Sequence, residues 1–396
     1  MPTRPCWVEI RTRAFEDNYR FLASVVSPDA ELLAIVKADA YGHSLALCAP
    51  AAARAGARWL GVTSVEEGVA ARALCPEAHI LVIGGIFPGQ GIDVVHHHLT
   101  TVAWEPYQLD ELEAAARAVG AESTSLPVHL EIDTGMSRQG ADTSSLPSLL
   151  ARFTPTSPLK LDGVMTHLFA ADEADGAITQ DQLMRLSASL DQVRAAASLH
   201  VEWLNVGNSA ALLAGEAVPI AALAARHAMK ALLRPGLALF GLAPQYDPGF
   251  VPEEPALLTT AHRHLQPVLS WKSKVVSVRS VSAGAVVGYN GAFVATEPMR
   301  LALVAAGYAD GLDRRLGNRF SLLVRGQRAP LVGRISMDQS VLDVTEIPAV
   351  APGDEVVILG KQGDQTISAF DHAATSGTIP WEVFTRIGNR VARVKV

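Results

Sequence analysis

The chain has 396 residues with 33 basic and 40 acidic side chains, which gives a formal net charge of −7. Hydrophobic residues make up 49% and charged residues 18%, a composition that excludes a disordered chain and supplies a large core. The acidic balance argues against a nucleic-acid-binding protein, which normally presents a basic face. At this length we expect two or three domains.

The N-terminal segment and the cysteines indicate a soluble, cytoplasmic protein. The first residues contain no apolar stretch typical of a signal peptide, and no apolar run reaches the length of a transmembrane helix. Cys6, Cys48 and Cys75 are far apart in the chain and odd in number, so we expect buried thiols rather than disulfides.

The first two-thirds of the chain alternates apolar runs with amphipathic stretches, of which Glu66–Leu74, Tyr107–Val119 and Thr179–Ser198 have the clearest helical periodicity. Eight apolar runs suit buried strands: Leu32–Val36, Trp59–Thr63, Ile80–Gly84, Thr100–Trp104, Val128–Asp133, Leu161–Thr166, Trp203–Val206 and Ala231–Arg234. This alternation predicts βα units and a parallel sheet, and eight units predict a closed (β/α)₈ barrel over residues 1–243. A doubly wound open sheet competes, but no G-x-G-x-x-G follows the first strand, which disfavours its dinucleotide-binding form.

Residues 244–396 predict a second, mostly β domain. Pro244–Pro255 is rich in proline and predicts a linker. Short β-rich runs follow at Val268–Val281, Arg300–Ala305, Ser321–Val324, Ala329–Val332, Gln339–Val344 and Glu355–Leu359, before a helical stretch at Ser368–Thr375. The opening Trp7–Ile10 is also strand-like, and residues 1–12 could join either domain.

Polar side chains stand where five of the apolar runs end. These groups are Lys37, Asp133–Arg138, Thr166-His167, Asn205–Ser209 and Arg234–Gly236. In a (β/α)₈ barrel the carboxyl ends of the strands carry the active site, so we expect these groups to converge. A lysine that ends a buried strand is desolvated, which lowers its pKa and favours Schiff-base chemistry. The alternative is a lysine that reaches solvent at the barrel rim.

A candidate phosphate site accompanies this lysine. Gly42 suits a tight turn, and Tyr41 could place its hydroxyl near an anion. Ser209 and Gly236 offer a hydroxyl and a backbone N–H at helix starts, where phosphate binds. A lysine amine with a phosphate cradle is what pyridoxal 5′-phosphate requires.

Ala34–Ser44 resembles the cofactor-lysine signature of the alanine racemases, pyridoxal-phosphate enzymes built from a barrel and a β domain. The resemblance runs nearly end to end and continues through Asp133–Met136, Asn208–Ala210, Val286–Tyr289, Ala306–Gly311, Gly333–Gln339 and Arg390–Arg393. It implies a homodimeric isomerase that interconverts L-alanine and D-alanine, with D-alanine supplied to bacterial peptidoglycan synthesis.

Racemisation removes the Cα proton from one face and returns it on the other, so two bases must flank the substrate. The resemblance implies that Lys37 serves the D-isomer face and that Tyr289, from the other subunit, serves the L-isomer face. A free tyrosine has a pKa of about 10, which nearby positive charge would lower. His167 and Arg234 match the positions that provide this coupling. The alternative for Tyr289 is an aromatic side chain packed beside a glycine turn.

The resemblance also implies the remaining roles. Arg234 would donate to the pyridine nitrogen without protonating it, because a guanidinium stays charged. Arg138 would hold the substrate carboxylate bidentately, together with the backbone of Met337 from the other subunit and near Tyr308 at the site entrance. The cofactor-binding set is Lys37, Tyr41, His167, Asn208, Ser209, Arg234, Gly236, Leu237 and Trp381. Asp338 has a supporting role, and Asp172, Arg314, Arg334 and Ile379 would line an access corridor.

Two residues depart from the family pattern. Glu131 stands where the family often has a carbamylated lysine that orients the substrate-binding arginine. Because it is shorter, it would reach Arg138 through a water, find Arg138 placed differently, or pair with another barrel residue. Trp381 stands where a tyrosine is usual, so we expect a small pocket with altered phosphate contacts or substrate preference, since tryptophan offers only an N–H donor.

Other interpretations stay open. One is a serine or broad-specificity racemase, which the two departures would allow. A pyridoxal-phosphate decarboxylase is disfavoured by the Tyr289 motif, and a non-catalytic cofactor-binding protein by the appended β domain. No metal is expected, because consecutive side chains such as His96-His97-His98 point in different directions. The pairs Glu66-Glu67 and Glu253-Glu254 are expected to be exposed charges.

Overall fold

The computed structural model describes residues 4–173, 176–196, 200–244 and 256–396. The chain divides into two compact units: a barrel unit of residues 13–40 and 48–266, and a β unit made of the segment that ends at Thr12, residues 41–47 and residues 267–396. By its internal contacts the barrel unit extends to residue 266, whereas the sequence predicts the boundary between the domains at 243/244. Apart from Pro244, the predicted linker lies outside the described residues, as does the Glu253-Glu254 pair.

After a first strand, β1 (Cys6–Ile10), eight strands close into a parallel barrel, which confirms the predicted fold. They are β2 (Ala30–Ile35), β3 (Trp59–Val62), β4 (His79–Val82), β5 (Thr100–Ala103), β6 (Leu126–Glu131), β7 (Leu159–Met165), β8 (Trp203–Asn205) and β9 (Lys230–Leu233). The pairing of Ala30 with Ala231 closes the ring between β2 and β9. Every residue of β3 and β5 is buried, as expected for strands covered on both faces.

Helices follow the barrel strands. They are α1 (Thr12–Ser24), a left-handed turn α2 (Lys37–Tyr41), α3 (Leu45–Arg54), α4 (Val65–Leu74), α5 (Gly91–His96), α6 (Pro106–Ala118), α7 (Leu146–Leu150), α8 (Ala177–Ala195), α9 (Ser209–Leu213), α10 (Ala217–Arg226) and α11 (Ala256–His264). In α6, Pro106 starts the helix and Leu109 and Leu112 are buried, the pattern of an amphipathic helix packed on a core. The predicted end of α8 at Ser198 lies outside the described residues.

The β unit contains a nine-stranded sheet. Besides β1, its strands are β10 (Leu269–Val281), β13 (Met299–Val304), β14 (Ser321–Val324), β15 (Gln327–Pro330), β16 (Ser340–Asp343), β17 (Glu355–Gln362), β18 (Gln365–Ile367) and β19 (Ala392–Lys395), and the main path through the sheet is β15-β14-β17-β10-β1-β19. A separate hairpin consists of β11 (Val286–Val287) and β12 (Phe293–Val294), and the unit has two helices, α12 (Ala369–Ser376) and α13 (Pro380–Thr385). Strand β1 pairs antiparallel with β10 and parallel with β19. The N-terminal strand therefore belongs to the β unit.

Cys6, Cys48 and Cys75 are buried thiols outside any disulfide, as predicted. Among the described residues, no helix is both long and apolar enough to span a membrane. Within the same ranges, no three His, Cys, Asp or Glu side chains are grouped to hold a metal ion. His96 and His98 are exposed on the surface.

Candidate active site

Lys37 begins a turn of unusual backbone geometry directly after β2. Ala38, Asp39, Ala40 and Tyr41 have φ angles of 53°, 52°, 55° and 55°, a left-handed conformation that costs about 1–2 kcal/mol for each such residue. The Ala38 N–H donates to a Glu67 carboxylate oxygen at 2.6 Å, and the other oxygen accepts from the Thr63 N–H at 2.8 Å. Glu67 therefore holds the lysine turn against the loop after β3, and the expectation that it is merely an exposed charge was wrong.

The Lys37 amine lies among other cationic groups of the barrel unit. Burial lowers the pKa of Lys37, the Arg138 and Arg234 guanidiniums lower it further, and Glu67 opposes them. Both effects disfavour the ammonium form, so the neutral amine is more accessible than in a free lysine. The same excess of positive charge suits ligands that carry a phosphate or a carboxylate.

Arg234, at the end of β9, is only 5% exposed, and its guanidinium is held by acceptors at the ends of two other strands, β7 and β8. Its Nη1 donates to the Asn205 carbonyl at 2.6 Å and to the Asn205 Oδ1, and its Nη2 donates to the Thr166 carbonyl at 2.7 Å. Burial lowers the pKa of Arg234 to about 10, with Glu131 raising it and Arg138 lowering it. The guanidinium is therefore charged at neutral pH and fixed as a donor.

His167 lies beside this guanidinium, with its Nδ1 at 3.4 Å from Arg234 Nη2. Burial lowers the pKa of His167 to about 3, with further lowering by Arg234, Arg138 and Lys37. The imidazole is therefore neutral at neutral pH. The positive charge beside His167 therefore comes from the guanidiniums, and any coupling of His167 to the second base would run through hydrogen bonds.

The predicted phosphate residues form a linked set between β8 and the turn after β9. Ser209 Oγ accepts the N–H groups of Gly236 at 2.9 Å and Ala238 at 3.2 Å. Since both its lone pairs are engaged, the Ser209 hydroxyl must direct its own O–H elsewhere, where it can donate to an anion. Asn208 instead caps α9 through the Ala211 N–H and donates to the Leu168 carbonyl. Leu237 follows Gly236 and is buried.

Glu131 and Arg138 do not form an ion pair. Glu131 is 2% exposed, and its carboxylate accepts a hydrogen bond from Gln139 Nε2, which is the third of the sequence alternatives. Burial raises the pKa of Glu131, while Gln139, Arg234 and Arg138 lower it. Arg138 is exposed, and within the described part of the chain its guanidinium has no ion-pair partner, so it is available for a carboxylate ligand.

In the β unit, Tyr289 follows β11 at the tip of the hairpin and is 66% exposed. The preceding Gly288 has a φ of 77°, and a Cβ there would lie 3.1 Å from the Arg334 N atom. Gly333, with a φ of 78°, would place a Cβ 2.8 Å from the Val287 carbonyl. The glycines of both motifs thus allow a close backbone approach, and Tyr289 is presented on the surface rather than packed beside the turn.

Tyr308 and Met337 are brought together by the buried Asp310. Its carboxylate accepts from Arg4 at 2.6 Å, from Arg390 at 2.8 Å and from the Gly307 N–H at 2.9 Å. The Ser336 carbonyl accepts the Tyr308 N–H, and the Met337 carbonyl accepts the Ala309 N–H, each at 3.0 Å. Asp338, the predicted supporting residue, pairs with Arg390 at 2.8 Å.

Several predicted corridor residues are also exposed. A cavity of about 740 Å³ in the β unit is lined by Tyr308, Gly311, Leu312, Asp313, Arg314, Arg315 and Arg386. Ile379 caps the start of α13 and is 55% exposed, and Trp381 lies in the first turn of that helix at 37% exposure. Asp172 is exposed on the loop after β7 of the barrel unit.

The barrel residues fit pyridoxal 5′-phosphate. The cofactor requires an amine of lowered pKa, a group that faces its ring nitrogen, and donors for its phosphate. The described barrel supplies these as Lys37, the fixed guanidinium of Arg234, and the outward-directed hydroxyl of Ser209. The burial of Tyr41, which raises the pKa of its phenol, leaves a protonated hydroxyl beside the lysine turn.

Sequence reasoning missed Glu67 as part of this site, and it placed Asn205 among the strand-end groups without predicting that Asn205 binds Arg234. Glu67 follows a helix-capping serine, and its neighbour Glu66 accepts a hydrogen bond from Gln90 Nε2 at 3.1 Å. Nothing in the local pattern distinguishes the two glutamates, because the role of Glu67 depends on a backbone N–H that is 29 residues away in the chain.

Comparisons with known proteins cover the whole chain. Residues 10–244 match the family described as alanine racemase, N-terminal domain, and residues 268–395 match alanine racemase, C-terminal domain. An alanine racemase of Sorangium cellulosum is 37% identical over 98% of each chain, and one of Nostoc is 34% identical over 98% of this chain and 95% of its own.

Solved structures give the same result. The alanine racemase of Streptomyces lavendulae has a TM-score of 0.87 and 33% identity, and the match covers 100% of this chain and 98% of that one. The alanine racemase of Bartonella henselae, solved with covalently bound pyridoxal phosphate, has a TM-score of 0.81 and 27% identity, with both chains fully covered.

Proposed function

The chain belongs to the alanine racemase family, and from that premise we propose that it is an isomerase that interconverts L-alanine and D-alanine with pyridoxal 5′-phosphate. The observation that carries the proposal is that Arg138 and Arg234 lower the pKa of both Lys37 and His167, which places these four side chains near one another where barrel strands end. An amine of lowered pKa beside the fixed guanidinium of Arg234 and the available guanidinium of Arg138 suits both the cofactor and an amino-acid carboxylate. The product would serve peptidoglycan synthesis in the cytoplasm, a location that the three thiols outside any disulfide support.

The cofactor, when bound, supplies the electron withdrawal that makes the Cα–H bond of the substrate acidic. Lys37 Nζ would hold the cofactor and then take or return the Cα proton on the D-isomer face. Tyr289 Oη would do the same on the L-isomer face. Arg138 would bind the substrate carboxylate through its planar fork, together with the backbone of Met337.

Other residues would orient these groups. Arg234 donates but has no proton to give up at neutral pH, so it would hold a ring nitrogen in its unprotonated form. Ser209, Gly236, Leu237, Tyr41 and Trp381 would hold the phosphate group. His167, which is neutral, would act as a hydrogen-bonding partner rather than as a charge.

We propose that the enzyme is a homodimer in which each site receives Tyr289 and Met337 from the partner subunit. The side chains of Tyr289 and Met337 are 66% and 52% exposed. The apolar residues Val286 and Val294, in the two strands of the Tyr289 hairpin, are also exposed, at 66% and 49%. An exposed apolar hairpin of this kind is typical of a surface that another chain covers.

Deuterium incorporation at Cα in D₂O tests the proposal directly. Both alanine enantiomers should exchange and interconvert in the presence of pyridoxal phosphate. Tyr289→Phe should slow the exchange of L-alanine by roughly 10²-fold or more, the usual contribution of a general base. Tyr107→Phe, at an exposed tyrosine of α6, is the matched control and should leave the rate unchanged. A protein that exchanges neither enantiomer would contradict the assignment.

A racemase that prefers serine is the second candidate, because Trp381 and Glu131 both depart from the family pattern. The same exchange assay run with alanine and serine separates the two candidates. A higher kcat/KM for serine than for alanine would replace the first assignment with the second.

A further inference from the structure

Behind Arg234, a line of polar side chains continues into the barrel interior. The Asn205 Nδ2 lies 3.3 Å from His129 Nδ1, and the Asn205 Oδ1 accepts from Arg234. His129, in β6, and Asn205, at the end of β8, are both fully buried. Polar groups so deep in a barrel are costly unless they satisfy one another. Among the described residues His129 Nε2 has no hydrogen-bond partner, so the imidazole is held through Nδ1 and leaves its Nε2 toward the nearest charge.

The guanidinium fixes the direction of every hydrogen bond in the line. Arg234 has donors only, so Asn205 must turn its Oδ1 toward Arg234 and its Nδ2 toward His129. His129 must then accept through Nδ1, which places the imidazole proton on Nε2. The opposite tautomer would set two N–H donors against each other.

Asp162 completes the line on the far side of the imidazole. Its Oδ2 lies 3.8 Å from His129 Nε2, which is beyond a hydrogen bond but within charge–dipole range, and it pairs with Lys160. The register between β6 and β7 shifts here, with Val128 opposite Leu161 but His129 opposite Gly163. Asp162 is the extra residue of this bulge, and a bulge re-aims the side chain that it carries.

The His129 imidazole packs closely against the backbone of Gly163 in β7. A Cβ on Gly163 would lie 2.6–2.7 Å from three atoms of the His129 ring, so only glycine allows the ring to lie flat on β7. Burial lowers the pKa of His129 although Asp162 opposes this, and His129 and Lys160 keep Asp162 ionised by lowering its pKa to about 2 against the effect of burial. These shifts agree with a neutral His129 imidazole that lies between the Asn205 amide and the ionised Asp162 carboxylate.

We propose that Asp162, His129 and Asn205 are positioning residues that fix the orientation of the Arg234 guanidinium through one directional chain, Arg234→Asn205→His129→Asp162. The proposal rests on the proposed function for its catalytic consequence, because the guanidinium would face the cofactor ring. Aligned dipoles that end on a carboxylate strengthen one another in a low-dielectric interior. The chain thus keeps Arg234 in one orientation and leaves its outward N–H groups available.

Neutron diffraction on crystals of the full-length, perdeuterated protein tests the direction of the chain without any assay of activity. We expect deuterium on His129 Nε2 and none on Nδ1, with the Asn205 amide deuterons directed at the imidazole. Deuterium on Nδ1, or an imidazolium with both nitrogens occupied, would overturn the proposal.

Asn205→Asp provides a second structural test. The new carboxylate keeps the acceptor for Arg234 but has no N–H for His129, so the imidazole would lie between two carboxylates. We expect His129 to become doubly protonated, which the same neutron experiment detects. An unchanged Nε2–H tautomer in this variant would show that Asn205 does not set the tautomer.

The functional consequence is tested with His129→Phe in the holoenzyme. The phenyl ring still covers Gly163, but both imidazole nitrogens are lost. We therefore expect kcat to fall by about tenfold, equivalent to about 1.4 kcal/mol in the activation free energy. The KM for L-alanine should change by less than about twofold, because Arg138 binds the substrate carboxylate. His129→Gln, whose amide can accept from Asn205 and donate toward Asp162, should recover most of kcat. Equal losses in both variants would mean that restoring an acceptor and a donor at position 129 does not restore kcat, and this would overturn the proposal.

Thr101→Val is the matched control. Thr101 lies in β5, its hydroxyl is buried, and it has no hydrogen-bond partner among the described residues, so the change should leave kcat unaltered. An Nε2–H tautomer in a protein without racemase activity would support the chain and overturn the proposed function. An active racemase with the Nδ1–H tautomer would support the proposed function and overturn the proposed chain.

Discussion

At the scale of single residues, burial disfavours the charged form of Lys37, His167 and Arg234, but the resulting charge states differ. It lowers the pKa of all three. Because they start from ordinary values of about 10.4, 6.5 and above 12, His167 loses its charge entirely and Arg234 keeps its charge. The site thus contains a neutral imidazole and a permanent cation 3.4 Å apart.

The depressed pKa of His167 predicts a specific loss of stability in acid. Below about pH 6.5 the unfolded chain binds a proton at this residue that the folded protein does not bind until about pH 3, so the free energy of unfolding falls as the pH falls through this window, by up to about 1.4 kcal/mol per pH unit. His167→Gln should weaken this dependence in the cofactor-free protein, as measured by the Tm at pH 7.5 and at pH 5.5.

His96→Gln, at an exposed histidine of α5, is the control for that measurement and should behave as the unaltered protein does. If His167→Gln and the unaltered protein lose the same Tm between the two pH values, His167 does not carry a depressed pKa.

Trp381 offers a prediction about the substrate pocket. Trp381→Tyr exchanges an N–H donor for a hydroxyl and reduces the ring size, so we expect a change in the cofactor dissociation constant and in the ratio of kcat/KM for alanine and serine. Fluorescence titration with pyridoxal phosphate and the exchange assay measure these. Unchanged values for both substrates would remove Trp381 from the site.

At the scale of elements, the turn Lys37–Tyr41 stores conformational strain that its neighbours offset. Four successive non-glycine residues are left-handed, and this arrangement persists only where surrounding contacts over-determine it. Glu67, in the first turn of α4, is one such contact, because its carboxylate accepts the N–H of Ala38, the first left-handed residue of the turn. The direction in which Lys37 leaves its strand therefore depends on a residue of the next βα unit.

Glu67→Ala should release this turn. The Ala38 and Thr63 N–H groups lose their acceptor, so we expect the free energy of unfolding to fall by about 1–3 kcal/mol and the cofactor to dissociate more readily. Denaturant unfolding and cofactor titration measure the two effects. Glu66→Ala, at the exposed neighbouring carboxylate, is the matched control, and equal effects of the two substitutions would show that Glu67 does not hold the turn.

At the scale of the whole molecule, the predicted site residues divide between the two units. Lys37, Arg138, His167 and Arg234 belong to the barrel unit, and Tyr289, Tyr308, Met337 and Trp381 belong to the β unit. In the homodimer that we propose, the exposed Tyr289 and Met337 would be covered by the partner subunit. The second unit would then supply one of the two bases, which would make the length of the chain part of its function.

This arrangement predicts complementation between inactive subunits. When Lys37→Ala and Tyr289→Phe proteins are unfolded together and refolded as a mixture, each mixed dimer contains one site with both bases intact. Random pairing then restores roughly a quarter of the sites of the unaltered enzyme. The racemisation rate after co-refolding measures this, with each protein refolded alone as the control, and no gain in the mixture would argue against a shared site.

Much of the fold follows from the sequence because it depends on local periodicity. Fully apolar runs such as Trp59–Val62, alternating with amphipathic helices, fix a parallel sheet that is covered on both faces, and eight of them close a barrel. The polar residues at the strand ends could be found for the same reason, since Lys37, His167 and Arg234 each follow directly after a buried run. The motifs then assigned those positions to a family.

The sequence by itself therefore determined the two-part architecture and the chemical identity of the groups at the barrel mouth. Only the tertiary structure decided the partners and charge states of those groups. Glu131 binds Gln139 rather than Arg138, His167 is neutral, Glu67 holds the lysine turn, and a line from Asn205 to Asp162 reaches Arg234 from behind. The physical reason is that a pKa and a hydrogen bond depend on burial and on neighbours from distant strands, which no local pattern in the chain encodes.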